Sequence, residues 1–206
     1  IYYFIILKEL SKININNKIN ISVPSGNFGN ICAGLIAMKM GLNVNNFIAA
    51  TNINDTIPRY FKTGEYTPKK TIRTISNAMD VSDPNNFPRI EHVFDNNFQA
   101  LKNKIRAEKV DEEETKNQIK KTYCKSKYIL DPHGAVGLVG LSRYNLKNEI
   151  GIFLETAHPI KFRDSITEIL DVNIDDPLKL TNECGSHKIA LKNNYSDFIE
   201  FIKQSQ

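Results

Sequence analysis

The segment VPSGNFGN, Val23 to Asn30, sets Gly26 and Gly29, each followed by an asparagine, between a short apolar run and a stretch that reads as helix. A glycine-rich turn at a strand-to-helix junction lets a ligand come close to the backbone and aims several N–H groups into one concavity. The helix that follows adds its unpaired donors and the positive end of its dipole. The chemistry this suits is the binding of an anion, a phosphate above all. Such a turn can also serve packing alone, and this one matches neither the Gly-Lys-Ser/Thr end of a Walker A loop nor Gly-x-Gly-x-x-Gly. Three later groups carry reactive side chains, each with a plain structural alternative. His133, in LDPHGAVG, falls in the first turn of a helix and reads as a packing or capping residue. Thr156, in ETAHPIKF, closes a strand, a place where a hydroxyl often bonds to backbone; His158, before Pro159, reads as a turn residue. Asn54, Asp55 and Thr56 read first as a helix cap.

The elements that must position these residues alternate. Ile19 to Val23 is a short β-branched strand, Asn30 to Met40 a helix closed by Gly41, and Phe47 to Thr51 a second strand. A helix capped by Asn54 or Asp55 then runs to Gly64. TISNAMDVSDPNNFPRI reads as a structured loop, Arg89 to Ile105 as helix, and DEEETKNQIK, acidic first and basic last, as an exposed helix suited to its own dipole. Asp131-Pro132 is an N-cap followed by proline at the first helical position, opening a helix of small residues that should pack closely on a neighbour. Gly151 to Ala157 reads as a strand ending at Thr156, and a polar–apolar helix runs from Tyr195. Strand alternating with helix points to parallel β-α units in an α/β fold, with neither an internal repeat nor a long linker.

Composition bounds the function. The 206 residues carry 27 Lys and Arg against 23 Asp and Glu, intermixed, with no basic stripe or arginine–aromatic interleaving, which argues against nucleic acid. No apolar run approaches the ~20 residues of a membrane helix. Cys32, Cys124 and Cys184 are odd in number and far apart, giving neither a disulfide framework nor a metal site, and this fits a reducing, cytoplasmic setting. The opening IYYFIILKEL is apolar and lacks a methionine, as though a helix were already under way and the chain's beginning were missing.

Taken in order, VPSGNFGNICAGLIA, FIAATNINDTIPRYFKTGEY, TISNAMDVSDPNNFPRI, LDPHGAVG and ETAHPIKF resemble successive blocks of the threonine synthases, pyridoxal-phosphate-dependent enzymes of fold type II. The bacterial and fungal branch is the nearer match, and the likeness runs from about Tyr2 to Ile169. It implies a parallel-sheet, tryptophan synthase β-like fold of which this chain is the C-terminal part of the large domain. Residues 1–18 would end a helix entering the domain, 19–170 form the β-α core with the phosphate loop, and 171–206 form a C-terminal tail. It implies that Gly26, Asn27, Phe28, Gly29 and Asn30 hold the cofactor phosphate and that Thr156 faces the pyridine nitrogen. Ser76 and Asn77 would line the cofactor's face.

The lysine that bears the cofactor belongs, in the family, to a block ahead of the phosphate loop, so no catalytic residue is expected in this chain. Lys62 lies on the helix after the second strand, where nothing in the family puts that lysine. The implied reaction turns O-phospho-L-homoserine and water into L-threonine and phosphate, with the missing N-terminal half needed to complete the site. The alternatives are a related phospho-lyase acting on another phosphorylated amino acid, and a non-catalytic relic or split-enzyme half. The resemblance also leads one to expect that Gly29→Val weakens cofactor retention.

Overall fold

The computed structural model describes residues 1–13, 17–174, 189–192 and 194–204. These fall in two units, residues 1–174 and 175–206. In the first, α1 (Tyr2–Lys12) leads into β1 (Ile19–Pro24), α2 (Gly29–Lys39), β2 (Asn46–Thr51) and α3 (Thr56–Thr63). A long loop with one 3-10 turn (Asn77–Met79) reaches α4 (Phe87–Val93), α5 (Phe98–Lys104) and β3 (Ile105–Lys109). Then come α6 (Glu112–Ser126), α7 (Pro132–Ser142), β4 (Ile150–Phe153), a second 3-10 turn (Pro159–Phe162) and α8 (Arg163–Leu170). The second unit contributes α9 (Tyr195–Gln204), started by the Asn194 side chain accepting from Asp197 N at 2.8 Å. Cys184 and most of the segment before α9 lie outside the described residues.

The four strands are all parallel, in the order β3-β2-β1-β4. The chain winds outward from β1 through β2 to β3, then returns to place β4 on the other side of β1. The winding direction therefore reverses between β1 and β4. Open α/β sheets bind ligands at such a point, beyond the C-terminal ends of the strands.

β1 is buried along its whole length, and its alternation separates two cores rather than core from water. Ile21 and Val23 join Ile31, Leu35 and Phe47 in the main cluster. On the other face, Ser22 Oγ donates to the Gly137 carbonyl of α7 at 2.7 Å, and Asn20 Nδ2 donates to Glu149 Oε2 at 2.7 Å, so both buried polar side chains are paired. The small residues of α7 allow close approach. A Cβ on Gly140 would lie 2.8 Å from the Cβ of Ala50 in β2. On the opposite side, Tyr3 of α1 is buried and donates to the Asn30 carbonyl at 2.7 Å, fixing α1 to the start of α2.

Three segments differ from the sequence reading. The helix expected over Arg89–Ile105 is two helices. Asp95 and Asn96 both take positive φ, ending α4, and Asn97 Oδ1 then caps α5 by accepting from Ala100 N. Ile105 begins an edge strand whose charged Arg106 and Glu108 hid it from a hydrophobic reading. The last strand is shorter than Gly151–Ala157. Ladder pairing continues only as far as Leu154 N to Ser22 O, which leaves Glu155 and Thr156 beyond the sheet. Finally, neither Asn54 nor Asp55 caps α3 through its side chain. Asp55 accepts from Arg59 Nε, while Asn54 bonds into the loop at Ile72.

Candidate active-site cleft

At the end of β1 the chain must turn into α2 within Ser25 to Phe28. Ser25 N is held by the Ala50 carbonyl at 2.8 Å, and the turn closes at Phe28, which takes φ 59 and ψ 14. A left-handed aromatic residue is strained by roughly 1–2 kcal/mol, and burial of its ring offsets this. Phe28 is 3% exposed and meets Phe87 edge-to-face at 5.8 Å. Gly26 and Gly29 themselves do not take positive φ. Gly26 is required for space. A Cβ there would lie 2.5 Å from the Cα of Met79, backbone that has nowhere to go. Gly29 is freer, its Cβ meeting only the Asn86 side-chain amide at 3.4 Å.

The consequence is a row of free donors. Among the described residues, the backbone N–H groups from Gly26 to Ile31 have no acceptor; the first bonded amide is Cys32 N, to the Phe28 carbonyl at 3.0 Å. The asparagines hold the loop's outer wall. Asn27 Oδ1 accepts from Asn85 N at 2.7 Å, and Asn86 Nδ2 donates to the Asn27 carbonyl at 2.8 Å.

These residues line a cleft of about 390 Å³, walled by Gly26, Asn27, Phe28, Gly29 and Asn30 on one side and by Thr156, Lys161 and Phe162 on the other. The size suits a small organic ligand. The five loop residues expected at the cofactor phosphate and Thr156, expected at the ring nitrogen, all line it. The Thr156 hydroxyl makes no hydrogen bond among the described residues, so it is not used to close the strand. Ser76 and Asn77 do not line this cleft; their neighbours Ala78 and Met79 do. Ser76 is instead buried, accepting from Asn52 Nδ2 in a network that pins the loop through Asp80, which takes bonds from Asn52, Thr74 N and Thr74 Oγ1. Lys62 lies on α3, away from the cleft. His158 is a turn residue, its Nδ1 accepting from Ile160 N. A wider hollow of about 680 Å³ beyond Lys161 holds both signs of charge, Arg73 and Arg163 with Glu112 and Asp164.

The residue whose part in the cleft sequence reasoning missed is His133. It is 3% exposed and lines the same cleft. Asp131, fully buried, caps α7 by accepting from His133 N at 2.8 Å and Gly134 N at 3.3 Å, and its Oδ1 lies 2.6 Å from His133 Nδ1. His133 Nε2 is buried and has no partner. Glu155 completes the group. A Cβ on Gly134 would fall on its carboxylate, so the glycine leaves the space that Glu155 fills beside Asp131. Loss of hydration, and then the Asp131 charge, push the Glu155 carboxyl up to about 8.

The arrangement is a set of oriented N–H donors, a free hydroxyl and a buried imidazole around one concavity, at the reversal point of a parallel sheet. Comparison with known proteins gives the same direction. The model of the pyridoxal-phosphate-dependent enzyme family matches residues 3–152. The chain is 45% identical over 206 residues to the threonine synthase of Haemophilus influenzae, covering 99% of this chain and 48% of that protein. It is 44% identical to that of Escherichia coli K12, covering 87% and 41%. It thus spans less than half the length of these curated relatives. The crystal structure of the Escherichia coli threonine synthase superposes with a TM-score of 0.79 at 39% identity, over 92% of this chain and 44% of that one. A pyridoxal-phosphate-bound threonine synthase from Brucella melitensis gives 0.78 at 28%, over 88% and 44%. A tomato threonine deaminase, 16% identical with a TM-score of 0.54, shares the fold. A phosphate-bearing cofactor is what unpaired amides at a helix start would receive, and the chain belongs to the family of pyridoxal-phosphate-dependent enzymes.

Proposed function

We propose that this chain forms the cofactor-phosphate side of a threonine synthase, acting on O-phospho-L-homoserine and water to give L-threonine and phosphate. The observation that carries this reading is the run of unpartnered N–H groups from Gly26 to Ile31, whose first five residues line a cleft that also holds the free Thr156 hydroxyl. Amides and a helix dipole suit a phosphate, and a neutral hydroxyl suits a ring nitrogen, so the residues fit pyridoxal phosphate at both ends.

When bound, pyridoxal phosphate supplies an electron sink that lets protons leave substrate carbons. The chain's own residues do the rest of the holding. Gly26, Asn27, Phe28, Gly29 and Asn30 grip the phosphate through backbone. Thr156 hydrogen-bonds the pyridine nitrogen without bringing a charge to it. Met79, packed on Gly26, keeps the wall closed, and Phe28 fixes the loop's shape by burying its ring. The lysine that carries the cofactor and moves protons comes from the remaining part of the enzyme. That part also covers the apolar face of α1, where Tyr2, Phe4 and Ile5 are 41%, 42% and 52% exposed. A hollow of about 400 Å³ between α1 and Thr156 opens beside this face. We place the enzyme in the cytoplasm, in keeping with the unpaired Cys32 and Cys124.

The test is phosphate release from O-phospho-L-homoserine by the full-length protein, with threonine identified as product. We expect turnover there and none from residues 1–206 alone. Turnover on another phosphorylated amino acid, with none on O-phospho-L-homoserine, would assign the protein to a sister lyase instead.

A further inference from the structure

We propose that His133 is a ligand-contacting residue of the cleft, its Nε2 accepting a hydrogen bond from an O–H of the bound pyridoxal phosphate. The inference rests on the reading of the cleft as a pyridoxal-phosphate site. The Asp131 carboxylate is fully buried and can only accept, so at 2.6 Å the shared proton belongs on His133 Nδ1. In the neutral ring this leaves Nε2 as a lone pair, and that lone pair is buried without a partner. Buried polar atoms in folded proteins are nearly always satisfied, and an exception calls for an explanation.

The surroundings supply one. The imidazole lines the cleft together with the amide loop, Thr156 and Phe162, and no other side-chain atom among the described residues is buried and unpaired. The Phe162 ring, 4.8 Å from the imidazole and lining the same cleft, is carried on the short Pro159–Phe162 turn, and in this proposal a shift of that turn admits the ligand to Nε2. A ligand O–H arriving there replaces an empty contact by a hydrogen bond, so binding and the shift of Phe162 favour each other. Glu155 and Tyr128, near Asp131, and Lys161, on the turn, are further ionisable groups at this wall. His133 acts here through Nε2, whereas a purely structural histidine would act through Nδ1 and Asp131.

The two roles separate by substitution. An asparagine at 133 reproduces the reach of Nδ1, and a glutamine reproduces that of Nε2. Cofactor-free full-length protein is titrated with pyridoxal phosphate and followed by cofactor absorbance, beside the ¹⁵N resonance of His133 Nε2. His133→Gln is expected to bind the cofactor nearly as wild type, and His133→Asn about tenfold or more weakly, the loss of one buried hydrogen bond. The Nε2 resonance of the wild type is expected to move on cofactor addition. Wild-type affinity in His133→Asn together with weakened binding in His133→Gln overturns the proposal, leaving His133 a partner of Asp131 only. An unmoved Nε2 resonance at saturation overturns it too, and that measurement decides if the glutamine variant fails to fold. A wild-type protein that binds no pyridoxal phosphate overturns the proposed function itself.

Discussion

Replacing Gly26 by alanine is expected to damage the cleft more than any other single methyl group added to the phosphate loop. The new Cβ would stand 2.5 Å from the Cα of Met79 and 3.0 Å from its carbonyl carbon. Both are backbone atoms, and the segment carrying them is anchored by the Asp80 bonds to Asn52 and Thr74. Either the loop or the Met79 wall must move. Overpacking of this kind costs about 1–3 kcal/mol, and here the movement also spoils the alignment of the free N–H groups. Gly26→Ala should therefore lower the unfolding midpoint and lose cofactor on dialysis. Gly29 provides the internal control. Its Cβ meets only a side-chain amide at 3.4 Å, so Gly29→Ala should change stability by less than about 1 kcal/mol. Gly29→Val should weaken cofactor retention chiefly by crowding the ligand. Equal cofactor content in Gly26→Ala and wild type, at equal stability, would contradict the packing of Gly26 on Met79.

Asp131→Ala is expected to be the most destabilising change at the far wall. It removes the cap of α7, leaves His133 N and Gly134 N without their acceptor, and strips His133 Nδ1 of its partner. A lost N-cap costs about 0.5–2 kcal/mol, and the buried, charge-assisted bonds add to it, so a loss of about 3 kcal/mol follows. One effect opposes this, the relief of repulsion with Glu155. That relief is small, because the Asp131 charge comes behind loss of hydration among the causes that raise the Glu155 carboxyl. The lost hydrogen bonds win. Asp131→Asn keeps an accepting oxygen and should lose only about 1 kcal/mol.

The pH dependence carries a sign of its own. Glu155 binds its proton more tightly folded than unfolded, so the folded state holds more protons between about 4.5 and 8. The contribution of Glu155 to stability falls as pH rises through that window. In Asp131→Ala the fall should narrow, since one of its causes is gone. Urea unfolding of both variants and wild type, repeated across this range, checks both the size and the slope.

How much of this could be read from the residues varies with the physics of each part. Strands β1 and β2 and helices α2 and α7 were legible because buried β-branched runs, a C-terminal glycine and an Asp-Pro cap each have a local cause. Edge strand β3 was not legible, since its charged alternation continues without a hydrophobic signal from α5. The break between α4 and α5 was carried by Asp95, Asn96 and Asn97, residues that favour turns, but the apolar spacing on either side masked it.

At the cleft, the loop and Thr156 were found from motif and resemblance, while the reason for the glycines was not. Close approach of Met79 to Gly26 is a long-range contact with no trace in the local sequence, and the left-handed residue is Phe28, a type seldom found there. His133 was set aside as a capping or packing residue. It is packed, and Asp131 does the capping, but only the structure reveals that one of its nitrogens is left over.

The central claim is that backbone amides at the start of α2 hold a phosphate. The most direct measurement is amide NMR of isotopically labelled full-length protein during titration with pyridoxal phosphate. The resonances of Gly26 to Ile31 are expected to move together as the cofactor saturates, while Cys32, whose N–H is already bonded to Phe28, moves least. Saturable cofactor binding that leaves Gly26 to Ile31 unmoved would contradict it.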